Sequence, residues 1–64
     1  MIGKNIRKLR LKYDLTQEEL ANRLGVSRAA LGNYEREKRE PDIDMLIKMA
    51  NTFKVSIDEL VGRV

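Results

Sequence analysis

Residues 16–35 read TQEELANRLGVSRAALGNYE, and the spacing inside this stretch decides the fold. Thr16-Gln17-Glu18-Glu19 has the pattern of a capping box, in which a hydroxyl and a carboxylate each satisfy the other residue's orphan backbone amide at the start of a helix. Leu20, Ala21 and Leu24 form the inner stripe of that helix. Gly25 then supplies the left-handed residue that lets the chain turn sharply. Ser27 caps a new helix two residues later, with Ala30, Leu31 and Tyr34 facing inward and Arg28, Ala29, Gly32, Asn33 and Arg36 facing outward. The outward set is short and polar in a chain with little core to spare, and a mid-helix glycine costs roughly 1 kcal/mol relative to alanine. That face calls for a role other than packing.

On either side of this stretch the pattern stays helical. Ile2, Ile6, Leu9 and Tyr13 form one stripe of an N-terminal helix running to about Tyr13. After the charged loop REKRE (36–40), Pro41 and Asp42 open a fourth helix whose buried side is Ile43, Leu46, Met49, Ala50 and Phe53. Ser56 to Glu59 is a second capping box, leading a last short helix with Ile57, Leu60 and Val61. Alternation of period two never persists, and no repeat or linker interrupts the chain. The expectation is an all-α fold, a compact five-helix bundle forming a single domain over residues 1–64.

Composition narrows the function classes. The chain has 64 residues, 42% hydrophobic and 36% charged, which fits one small folded domain. With no cysteine, neither a disulfide framework nor a thiolate metal site is available. Histidine is absent too, removing the commonest general base and metal ligand, so no catalytic residue, metal or cofactor is expected. No apolar run suits a signal peptide or a membrane span, which points to a cytoplasmic protein. The net charge of +3 is unevenly spread: residues 1–13 carry Lys4, Arg7, Lys8, Arg10 and Lys12 without an acid. Such polarity suits a polyanion partner, and it equally suits a solvated helix face.

Two short helices joined by a glycine-containing turn make a helix-turn-helix unit, here about residues 16–36. Counted from Gln17, Leu20, Leu24, Val26, Leu31 and Tyr34 fall at offsets 3, 7, 9, 14 and 17, with Ala21 at 4 and Gly25 at 8. Ala21 must be small where the third helix crosses it, while Val26 and Leu31 fill the angle between the two helices. On these residues the chain resembles the Cro and phage-repressor (lambda-repressor-like) type of helix-turn-helix domain over nearly its whole length. The resemblance implies a transcriptional regulator, in the repressor case binding a palindromic DNA operator as a homodimer, with residues of about 27–36 as recognition helix. It assigns Ser27, Arg28, Ala29, Gly32 and Asn33 to base edges and Gln17, Arg36, Lys38 and Arg39 to phosphates. It also pairs Arg10 with Glu35 as a buried ion pair.

The side chains can do this work. Arg28 can fork onto guanine O6 and N7, Asn33 can pair bidentately with adenine, and the Ala29 methyl can touch a thymine methyl. Gln17 opens a helix whose positive end favours a phosphate. Taken singly, Arg28, Arg36 and Asn33 also read as ordinary surface residues, and Gln17 as a good helix former. Val61 and Val64, at the end of the last helix, are candidates for a two-fold contact or a simple apolar trim. The competing function is a protein-interaction module of the same fold, antitoxin-like or adaptor, which needs large apolar anchors that the third helix does not display. Two departures from the family pattern are Glu37 and Lys54, where many relatives have glycine; if left-handed, each carries about 1 kcal/mol of strain.

Overall fold

The computed structural model describes residues 2–62, so Val64 lies outside the described residues. Five helices follow one another: α1 (Ile2–Lys12), α2 (Gln17–Leu24), α3 (Arg28–Glu35), α4 (Ile43–Phe53) and α5 (Ile57–Val61). There is no strand among the described residues, and no helix there is long and apolar enough to cross a membrane.

Side-chain caps start four of these helices. Thr16 Oγ1 accepts from the Glu19 amide at 3.0 Å while Glu19 Oε1 accepts from the Thr16 amide at 2.8 Å, closing the capping box. The Thr16 backbone amide, aided by its hydroxyl, holds the Glu19 carboxyl below the usual glutamate range. Ser56 and Glu59 repeat the arrangement at α5. Ser27 and Asp42 cap α3 and α4, accepting from Ala30 and Met45 amides at 3.0 and 2.9 Å.

The helix ends share a different device. Asp14, Gly25, Glu37 and Lys54 all have positive φ, and the residue after each donates back to a carbonyl five positions earlier. These bonds, Leu15 to Arg10, Val26 to Ala21, Lys38 to Asn33 and Val55 to Ala50, measure 2.9 to 3.0 Å. Leu15 is buried in the core, and Val26 and Val55 pack against it, so three of the closures also fold an apolar side chain inward. Lys48 Nζ donates to Leu24 O at 3.2 Å, satisfying a terminal carbonyl of α2 from α4.

Lys54 at φ 55°, ψ 44° and Glu37 at φ 61° occupy the left-handed region that disfavours a Cβ. Lys54→Gly should therefore stabilise the protein by about 1 kcal/mol and raise its melting temperature by about 4–8 °C in a thermal melt. An unchanged or lower melting temperature would show that the turn is not strained.

One core joins all five helices: Ile6, Leu20, Leu24, Leu31, Met49, Phe53 and Leu60 are fully buried, with Ala21, Ala50, Tyr34 and Leu15 beside them. Helix α2 packs on α3 and α4, α1 on α3 and α5, and α4 on α5. Close approach at one point depends on Gly3, where a Cβ would fall 2.6 Å from Glu35 O and 2.7 Å from Tyr34 O. The first turn of α1 thus sits directly on the last turn of α3.

Three residues expected inside are not. Ile43 is 72% exposed and Ile57 41%. Each is the first residue of its helix, and helical side chains tilt toward the N-terminus, so these two point past the end of the helix and away from the core. Tyr13 is 46% exposed because it follows α1, yet its ring stacks on Phe53 at 5.8 Å and its hydroxyl donates to Phe53 O at 2.7 Å. Ala30, expected inward, is half-buried.

Candidate nucleic-acid interface

The interface begins with the groups that fix α2 and α3 to α1. Arg10 Nε donates to Glu35 Oε2 at 2.6 Å and Nη2 to Glu35 Oε1 at 3.2 Å, a two-point ion pair whose side chains are 10% and 5% exposed. Arg10 Nη1 donates onward to Leu15 O at 2.8 Å. Gln17 Nε2 donates to Glu35 Oε1 at 3.1 Å. One carboxylate on α3 is therefore held by α1 and by the first residue of α2. The turn between α1 and α2 is held through the same guanidinium, so the two helices of the motif are set relative to each other by directional bonds as well as by Leu20, Ala21 and Leu31.

From this frame α3 presents its N-terminal half outward. Ser27, Arg28 and Ala29 are exposed. The Ser27 hydroxyl oxygen is engaged with the Ala30 amide at 3.0 Å, which leaves its proton free to donate. The Arg28 side chain forms no hydrogen bond or ion pair with another described residue of the chain.

Gly32 and Asn33 differ from the outward, open positions expected of them. Gly32 is buried and Asn33 half-buried, and the cover is Arg36 from the end of the same helix. Arg36 Nη2 donates to Asn33 Oδ1 at 2.9 Å, so this guanidinium lies back along α3. An arginine three residues on from an asparagine can always reach it, but residue spacing does not fix which of several rotamers it takes.

The remaining cations flank this surface. Lys38 and Arg39 are exposed in the loop after α3, and the Arg39 guanidinium rests over the Tyr34 ring at 5.8 Å, a cation–π contact that keeps it beside the helix end. Glu37 and Glu40 alternate with them and dilute the local positive field. Gln17, half-buried, has one amide proton on Glu35 and retains a second for an anion at the start of α2. Arg28, Ala29 and Asn33 thus share one side of α3, with Ser27 capping its start and Lys38 and Arg39 beyond its C-terminal end. Val61, on α5, is half-buried and belongs to a different helix.

Sequence reasoning missed Leu15 and Lys48. Leu15 has no helical periodicity to mark it, and its signal is the apolar residue that follows a left-handed turn. Nothing in the sequence marks Lys48.

Comparison with known proteins fits this geometry. The helix-turn-helix family profile matches residues 6–60. The HTH-type transcriptional regulator ImmR of Bacillus subtilis (strain 168) is 42% identical over 62 residues, 97% of this chain and 49% of that protein. Antitoxin PezA of Streptococcus pneumoniae serotype 4 is 40% identical over 62 residues, 97% of this chain and 39% of that protein. The crystal structure of the P22 c2 repressor in complex with a synthetic operator superposes with a TM-score of 0.91 at 30% identity, covering 100% of this chain and 97% of that one. The chain spans about half the length of the curated relatives it matches.

Proposed function

The chain belongs to the helix-turn-helix family, and from that premise we propose that it is a cytoplasmic DNA-binding transcriptional regulator, a repressor that occupies a palindromic operator as a homodimer. Helix α3 enters the major groove with Arg28 and Ala29 leading and Ser27, Gly32 and Asn33 along the same face. Gln17, Lys38 and Arg39 hold the flanking phosphates. The observation that carries this reading is the exposed, small and polar start of α3 at Ser27, Arg28 and Ala29, where the arginine side chain has no hydrogen bond or ion pair among the described residues. It is supported by the likeness over the whole chain to a repressor whose structure contains operator DNA.

A dimer follows from information content. One recognition helix reads only a few base pairs, too few to single out a site among ~10⁶–10⁹ genomic competitors. Two copies with half-sites about one helical turn apart read twice as many. Val61, with Val64 beyond the described residues, is the proposed two-fold contact, and the exposed Ile57 on α5 adds apolar surface beside it.

The reading separates two kinds of contact. Arg28→Ala should relax preference at one or two base pairs per half-site, by roughly 5- to 100-fold in relative affinity, when variants are titrated against duplexes differing at single positions. Lys38→Ala should weaken all duplexes alike and reduce the salt slope by about one. The opposite pattern would reassign both residues.

A second reading has one observation in its favour. Ile43, 72% exposed, and Ile47, 44% exposed, are four residues apart on α4 and form an apolar pair of the kind a protein partner uses. A protein-interaction module of this fold, antitoxin-like or adaptor, would bind there, and an antitoxin is among the relatives. Ile43→Ser/Ile47→Ser would leave duplex binding unchanged under the first reading and abolish partner binding under the second.

A further inference from the structure

Gly32 lies in the middle of the face that carries Arg28, Ala29 and Asn33, and it is buried, with the Arg36 guanidinium the nearest group to where its Cβ would be. A Cβ built on it would meet Arg36 Nη1 at 3.3 Å and Arg36 Cζ and Nη2 at 3.7 Å. The guanidinium therefore lies close over the Gly32 backbone, where a Cβ would be a tight contact that the arginine relieves by moving a few tenths of an ångström. From there it reaches Asn33, with Nη2 donating to Oδ1 at 2.9 Å.

We propose that Asn33 and Arg36, seated together beside Gly32, form one reading unit rich in hydrogen-bond donors that therefore selects guanine at the base pair it meets. This deepens the DNA-binding reading and rests on it. A free asparagine recognises adenine by accepting from N6 through Oδ1 and donating to N7 through Nδ2. In this protein Oδ1 already accepts from Arg36. Oδ1 keeps a second lone pair, but an adenine amino group reaching it would meet the guanidinium N–H groups beside it, donor against donor. What remains accessible is the Nδ2 protons of Asn33 and the unused N–H groups of Arg36, and these match the two acceptors, O6 and N7, on the major-groove edge of guanine. Arg36 thereby acts beside a base and not, with Lys38 and Arg39, on the backbone. Glycine at position 32 lets it lie close against the helix.

Selection of bound duplexes from a random pool by the full chain and by three variants tests the proposal. Asn33→Ala identifies the base pair concerned, as the position whose preference it erases. At that position the wild-type protein should select guanine. Arg36→Ala frees Oδ1, and preference should swing to adenine by about tenfold. Gly32→Ala keeps the arginine and its charge and asks the guanidinium to give by only a few tenths of an ångström, so it should keep the guanine preference that Arg36→Ala loses. Its melting temperature, expected to be maintained or raised because alanine is the better helix former, shows that the fold is intact. Wild-type selection of adenine at that position, guanine retained by Arg36→Ala, or an Asn33→Ala variant with wild-type preferences at every position would each overturn the unit. Failure of the wild-type protein to enrich any duplex would overturn the DNA-binding reading and the unit with it.

Discussion

Glu35→Ala is expected to lower the stability of the protein by about 3–5 kcal/mol in denaturant titration, the usual cost of removing one partner of a buried ion pair. The substitution strips Arg10 of both carboxylate bonds and leaves its guanidinium buried with Leu15 O as its one remaining hydrogen-bond partner among the described residues. It also orphans the Gln17 amide, the bond that holds the start of α2 to α3. A domain of this size has roughly 3–10 kcal/mol in total, at about 0.05–0.15 kcal/mol per residue, so the variant should be largely unfolded or on the edge of it at room temperature. Arg10→Met should be similarly damaging, since it strands the carboxylate. The double variant Arg10→Met/Glu35→Leu should recover much of the loss, because two apolar groups of similar size leave no uncompensated charge. A loss below about 1 kcal/mol for Glu35→Ala would place the pair among solvated surface bridges, and α2 and α3 would then be set by packing alone.

Binding to duplex DNA is expected to collapse with added salt. If a dimer neutralises ~6–8 phosphates through Lys38, Arg39 and further exposed lysines and arginines, the logarithm of affinity falls with the logarithm of salt at a slope of about −5 to −7. Between 50 and 200 mM that amounts to a loss on the order of 10³- to 10⁴-fold. The slope measures the phosphate contacts and the single-base substitutions measure the reading face, so the two experiments examine different parts of one interface. A flat response would remove the electrostatic half of the account, whatever the sequence preference.

The sequence made the helix-turn-helix legible because each of its constraints is local. Thr16, Ser27, Asp42 and Ser56 announce helix starts by the chemistry of a side chain three residues from the amide it caps, and Gly25 announces a left-handed turn. The periodic stripes located Ile6, Leu20, Leu24, Leu31, Met49, Phe53 and Leu60 in the core, where they are found. The pattern misled at Ile43 and Ile57. Periodicity assigns a face to a residue but does not register that the first position of a helix overhangs the element beneath it. The Arg10–Glu35 pair spans 25 residues of sequence, and only the resemblance to a family brought the two together. The cover over Gly32 was out of reach for another reason: it depends on a side-chain rotamer.

The most direct test of the account is to map backbone amide shifts by NMR while a duplex enriched from a random pool is titrated into the protein in dilute buffer. Perturbations should concentrate at Gln17, at residues 27–33, and at Arg36, Lys38 and Arg39, leaving the exposed end of α4 at Ile43 and Ile47 unmoved. Shifts centred on Ile43 and Ile47 with α3 silent, or none anywhere, would contradict the claim that α3 is the surface that meets DNA.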